Sequence, residues 1–214
     1  MASSPVTRQG SAHPADIYLS VGVALSWWEA SEDILMGLFR WLCATSEPVA
    51  FEAYVAASRS ARGKMLLSAL TRYHDHFQPQ ELIDIRAAVK ALDKLSPMRN
   101  QIAHGHVSHQ RRTSDDILIM DGNFLVPSLN EAGHQTERDI RYAHTAEEID
   151  NWRDRVRAER EKIMDAEGAA RKRAQDSRMA MSAEDQRTLA LAEAIVQKRT
   201  PISAFSIVRR PESE

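Results

Sequence analysis

Cys43 is the only cysteine in the chain. An intrachain disulfide is therefore excluded, and apolar burial and hydrogen bonding must hold the fold. That usage favours a reducing compartment. Aromatic residues are few, at 6%, and Gly and Pro number eight each, well below the levels of collagen-like or low-complexity chains. No run reaches the roughly 18 apolar residues of a membrane span. Residues 17–28 imitate the core of a signal peptide, but no strongly basic leader precedes them. Trp27-Trp28-Glu29 is also a poor small-residue cleavage site. Neither charge sign is in large excess, since the formal net charge is −2. A wholly basic surface is excluded, and any RNA site must be a local patch. A Walker loop, a dinucleotide-binding glycine pattern and a Gly-x-Ser-x-Gly elbow are all missing. These absences lead to the expectation of a soluble cytoplasmic protein with no membrane segment.

What is present is enough apolar residue for a core, 43% of 214 residues, arranged mostly at helical spacing. Residues 1–15 read as a loose tail. Asp16 can cap a long helix to about Ala44, with Val21, Leu25, Trp28, Ile34, Leu35, Leu38 and Leu42 recurring at three- and four-residue steps. Glu29 and Glu32 interrupt that face, either as solvated residues or as a polar patch near a cleft. Residues 49–58 suit a second helix with Phe51, Tyr54 and Val55 inward. Residues 60–76 suit a third, carrying Met65, Leu66, Leu70 and Tyr73. Pro79 opens a fourth, whose stripe Leu82, Ile85, Val89, Leu92, Leu95 has steps of 3, 4, 3 and 3.

Beyond residue 105 the period changes. Ile117–Met120 and Phe124–Val126 flank Asp121-Gly122-Asn123, which predicts a β-hairpin at about 115–127; residues 139–143 are a further candidate strand. Thr145 with Glu148 three residues on is a capping box for another helix, with Ile149, Trp152, Val156 and Ile163 inward. The arginines of 153–160 alternate with acids at helical pair spacing, which predicts a salt-bridged, solvated face rather than an RNA clamp. Residues 166–199 read as a C-terminal helical extension, closing with a helix capped at Ser182. Residues 200–214 read as a flexible tail. The fold class expected is mainly α, a helical bundle with a small β-hairpin insertion and C-terminal helices.

Ser96–Val107 concentrates the chemistry. Ser96 suits an N-cap, Pro97 a first helical turn, and Gly105 a left-handed C-terminal position. This predicts a short helix bearing Arg99, Asn100 and His104. Asn100 and His104, four apart, share a face, and the long Arg99 side chain can swing back to join them. Spacing alone does not single the set out. With 22 Arg and 8 His, chance supplies about one Arg-x4-His pair, and Arg8/His13 matches as well. The polar residue after Arg99, the Ala-His-Gly ending and the position behind an apolar helix do set it apart.

Arg99-Asn100-Gln101-Ile102-Ala103-His104-Gly105 resembles the signature of the HEPN family, small α-helical domains whose motif is an Arg, four to six residues, then a His. The resemblance spans residues 17 to about 165 as a pattern of helices, within an expected domain at 16–165, with identities confined to the motif. It implies a HEPN-like bundle and a metal-independent endoribonuclease of a toxin–antitoxin, antiviral or RNA-processing system. It also implies a homodimer in which two motifs meet in one cleft. Other family members bind without cutting, so a non-catalytic domain holding a nucleotide or protein partner is the competing expectation.

The residue types suit the first chemistry. Attack by the 2′-hydroxyl restricts cleavage to RNA. An imidazole with a pKa of about 6.5 can take or give the proton, and a guanidinium fork can hold two phosphate oxygens. Asn100 can orient the ring or donate to phosphate. Two chains would offer one imidazole as base and another as acid. His104, His106 and His109 do not suggest zinc: Gly105 breaks the helix among them and no Cys is near. Neither metal nor cofactor is expected. Cys43 lies in an apolar stripe and reads as core.

Overall fold

A computed structural model of the chain describes residues 6–43, 47–72, 74–113, 118–127, 143–180, 187–188 and 190–191. It is mainly α, as expected. The helices are α1 (Pro14–Leu42), α2 (Glu47–Ala56), α3 (Arg59–Arg72), α4 (Pro79–His104) and α5 (Ala146–Ala180), with one 3-10 turn at His74–His76. A small sheet holds β1 (Val6–Gln9), β2 (Gly105–Thr113) and β3 (Leu118–Pro127) in the order β1-β3-β2. Two compact units divide the chain, 1–170 and 171–214. The core and every site discussed below lie in the first. The helix expected from Ser182 falls almost wholly outside the described residues.

In α1 the buried face is Ile17, Ala24, Trp28, Leu35, Leu38 and Leu42, with Ser20 and Ser31 buried between them. Val21, Leu25 and Ile34 flank this stripe and are only partly buried. Small residues thus take the positions of closest approach, which a search for large apolar residues passes over. Ser31 is accommodated because its hydroxyl donates to the Trp27 carbonyl at 2.8 Å. The chain enters α1 through His13 and Pro14 rather than an Asp16 cap, and Asp16 sits in the first turn, where its charge suits the helix dipole.

The α4 stripe of Ile85, Val89, Leu92 and Leu95 is buried, as its period requires. Gln78 and Glu81 form a capping box at its start. The short separate motif helix expected from Ser96 is not formed. Instead α4 runs unbroken through Pro97 to His104. Proline inside a helix forfeits one backbone bond and crowds the preceding turn, at about 3 kcal/mol. Burial of Leu92 and Leu95 before it and Ile102 after it outweighs that cost, at about 1.5–3 kcal/mol for each large side chain.

One aromatic junction ties the helices together. The Trp28 ring of α1 stacks on Trp152 of α5, centroids 5.6 Å apart and planes 19° from parallel. Trp152 donates its indole N–H to the Leu95 carbonyl of α4 at 3.1 Å. The Arg59 guanidinium, at the start of α3, lies 5.0 Å from the Trp28 centroid.

The sheet departs from expectation in two ways. Residues 6–9 form β1, parallel to β3 from Val6↔Leu118 to Gln9↔Asp121, so part of the predicted tail is built into the fold. Arg8 donates to the Ala143 carbonyl and pairs with Glu148 at 2.7 Å. The run ending at Met120 and Phe124–Val126, predicted as the two arms of a hairpin, lie in the one strand β3, which instead forms a hairpin with β2, from Gly105↔Pro127 through Thr113↔Ile119. Asp121-Gly122-Asn123 is therefore not its turn but lies inside β3. Gly122, at φ +113°, is needed because Gly10 packs against its backbone within 3.0–3.1 Å of where a Cβ would stand. Asn123 donates to the carbonyls of Ser11 and Ala12 at 2.9 and 3.1 Å. Of the further strand candidate, residues 139–142 lie outside the described residues. Its neighbour His144 bridges to Leu125. The Thr145/Glu148 box forms as read, with reciprocal bonds of 2.9 and 3.1 Å.

Leu92, 1% exposed, tests this packing. Leu92→Ala is expected to lower unfolding free energy by about 2–5 kcal/mol, read as a shift of the urea midpoint with an unchanged slope.

Candidate functional site

Unbroken passage of α4 through Pro97 carries Arg99 and Asn100 to the mouth of a pocket of about 300 Å³. Trp28, Glu29 and Glu32 of α1 form one wall. Ser58, Arg59 and Arg62, where the chain enters α3, form another, and Ser96, Arg99 and Asn100 of α4 the third. Arg99 reaches across to α1, its Nη2 3.3 Å from Glu29 Oε1, while its Nη1 lies 3.4 Å from Asn100 Oδ1. Asn100 is exposed, and so is His104 one turn further on. His104 does not line the pocket; it ends the helix where the chain turns into β2. Of the three residues singled out from sequence, two share the pocket and the third stands beside it on the same helix.

Gly105 does not take the left-handed conformation expected of it. Its φ of −79° and ψ of 163° are extended, so the helix passes directly into the strand. Glycine is required there for closeness: a Cβ would stand 2.9 Å from the Gln101 carbonyl and from the Leu125 side chain.

The pocket contains two arginines that reading by motif missed. Glu32, only 13% exposed in its side chain, pairs with Arg59 at 2.9 Å and with Arg62 at 3.2 Å. Arg62 is committed to structure. Its Nε donates to the Tyr54 and Ala57 carbonyls and its Nη2 to Val55, capping the end of α2. Arg59 is less fully used: beyond Glu32, the Trp28 ring and the Tyr54 hydroxyl, its buried Nε has no hydrogen-bond partner. Burial and the Glu32 charge push the Tyr54 phenol above its ordinary range, so it stays protonated. A signal for this arrangement did exist in the sequence: Glu29/Glu32 and Arg59/Arg62 are opposite-charge pairs with the same three-residue spacing.

His144 is a further residue near the motif. Its Nε2 lies 2.8 Å from Gln101 Oε1, so the ring donates to the motif segment of α4. Burial lowers its pKa, with Arg8 acting in the same direction and Glu148 against it; the neutral ring is the form that fits. Cys43 is partly buried and burial raises its thiol pKa, which disfavours a thiolate nucleophile. His106 and His109, three apart in β2, face opposite sides by strand alternation, and among the described residues no group of three His, Cys, Asp or Glu could hold a metal ion. In α5 Arg153 pairs with Asp150 and Asp154 and Arg157 with Glu161, while Glu159, four residues after Arg155, pairs with Lys162; Arg160 lies 5.4 Å from the Trp27 centroid. Among the described residues no helix is long and apolar enough to cross a membrane.

Comparison with protein-family models, curated proteins and solved structures finds no match, so functional argument rests on the residues and their geometry.

The His144–Gln101 contact carries a pH signature. A histidine whose folded pKa lies below the unfolded value of 6.5 resists protonation in the native state. Between the two values the unfolded chain binds more protons, so stability rises with pH there and is lost as pH falls below about 6.5. Thermal unfolding followed from pH 7.5 down to 5 should show this decline, and His144→Gln should flatten it.

Proposed function

We propose that the chain is a HEPN-type endoribonuclease that cuts RNA without a metal ion, as a homodimer in a toxin–antitoxin or defence setting. The observation that carries this reading is the placement of Arg99 and Asn100 at an arginine-rich pocket, with His104 one turn along the same exposed helix end. Arginine holds the scissile phosphate and stabilises the charge that grows on it. One His104 takes the 2′-hydroxyl proton, and the partner's His104 protonates the leaving 5′-oxygen. A single chain has one such imidazole in its motif, so the shared cleft completes an acid–base pair. The proposed reaction calls for no cofactor.

The second reading, a non-catalytic domain binding a nucleotide or a protein such as an antitoxin, draws support from the Arg99–Glu29 ion pair, which occupies the guanidinium in the isolated chain.

Cleavage of a mixed RNA substrate in EDTA distinguishes the two. Wild-type protein should cut, and Arg99→Ala and His104→Ala should each lose about 10²–10⁴-fold, the range of one acid–base group. A dimer of one wild-type and one His104→Ala chain, isolated with two tags, should lose most of its turnover. Retention of half would rule out the shared cleft, and a well-folded wild-type dimer that cuts no RNA would favour the binding domain.

A further inference from the structure

Arg59 has no place in the motif, yet it faces the same pocket as Arg99. Glu29 and Glu32 are three residues apart on α1, a rise of about 4.5 Å. Arg99 pairs with the first and Arg59 with the second, so the two guanidiniums enter one pocket from facing walls, each drawn toward α1. Two guanidiniums lining one pocket suit an anion with several oxygens, such as a phosphate. The hydroxyl-bearing Ser58 and Ser96 and the Asn100 amide line the same space. Its volume of about 300 Å³ is at the lower end for small-ligand pockets.

The two acids differ in a way that matters. Glu32 is largely buried and engages two arginines, so it is a fixed part of the wall. Glu29 is 63% exposed and makes one long contact of 3.3 Å. An exposed pair of this kind contributes little and exchanges readily with solvent. Its carboxylate sets a single oxygen against Arg99 Nη2, an anionic contact that a phosphate oxygen could replace.

We propose that Arg59 and Arg99 form a two-guanidinium seat for one phosphate group of a nucleotide or an RNA strand, and that Glu29 occupies this seat in the unliganded chain. An entering phosphate displaces the Glu29 carboxylate, which swings into solvent. Arg59, which lines the same pocket, adds a second guanidinium to the phosphate. The seat deepens the RNA reading by adding a residue outside the motif and a built-in competitor for the ligand, but it does not depend on cleavage.

The test measures equilibrium binding of three probes to full-length protein: inorganic phosphate, adenosine monophosphate, and a short 2′-fluoro RNA that lacks the attacking hydroxyl. Glu29→Gln, at an exposed position, should tighten the responding probe about fivefold, with the gain shrinking as salt rises. Arg59→Lys keeps a charge beside Glu32 but loses the fork, and should weaken the same probe. Arg157→Ala, on α5 and outside the pocket lining, should leave the affinity unchanged. A response with adenosine monophosphate supports a seat for a terminal phosphate, and a response confined to the oligomer supports one for a backbone phosphodiester. If Glu29→Gln leaves every affinity unchanged or weaker, the seat is overturned, whether or not the protein cuts RNA. Conversely, these binding shifts without any RNA cleavage would retain the seat and remove the nuclease.

Discussion

Trp28 is where the helical unit is joined. Its stack with Trp152 brings α5 onto α1, the Trp152 indole N–H binds the α4 backbone at Leu95, and Arg59 brings the start of α3 over the same ring. An indole buries some 150–250 Å² and carries geometric preferences that an aliphatic side chain lacks. A leucine at 28 would still be apolar, but it would lose the ring on which both an aromatic and a guanidinium rest. The junction also sits two residues before Pro97 in sequence, through Leu95. The point where α4 is intrinsically weakest is therefore next to a tertiary anchor. Orientation of Arg99 and Asn100, two and three residues after that proline, follows from this packing rather than from helix propensity.

Around this junction two ion pairs of similar composition play different parts. Glu32 with Arg59 and Arg62 is largely shielded from water; removing one member would strand a charge and cost several kcal/mol. Glu29 with Arg99 is open to solvent and is worth about 0–1 kcal/mol. The first defines the shape of the pocket wall and closes the end of α2 through Arg62. The second is weak enough to be exchanged for another anion. Acids on one face of α1 thus do more than keep that face soluble, since they set the positions of the cations that a phosphate ligand would use.

The N-terminal segment supports the far side of the motif. β1 pairs with β3, Arg8 clamps Glu148 at the start of α5, and Asn123 ties Ser11 and Ala12 to the sheet. β3 in turn lies against β2, which begins directly after His104. His144 completes the connection by donating to Gln101. The exposed end of α4 is therefore held from the sheet side and from the start of α5, which limits how far His104 can move relative to Arg99.

Sequence alone determined the helical class, the Ile85–Leu95 stripe of α4, the capping box at Thr145 and the burial of Trp28, Leu35, Leu38 and Leu42 on α1, because each follows from local period or local hydrogen-bonding chemistry. It also singled out Arg99, Asn100 and His104. Only the tertiary structure decided three further things. Pro97 stays inside α4 because burial on both sides outweighs its local cost. Asp121-Gly122-Asn123 lies within a strand because Gly10, more than a hundred residues earlier in the chain, packs on Gly122. Arg59 joins Arg99 because Glu29 and Glu32 on a third helix draw both arginines into one pocket. All three depend on contacts between residues remote in sequence, whose energy no local pattern records.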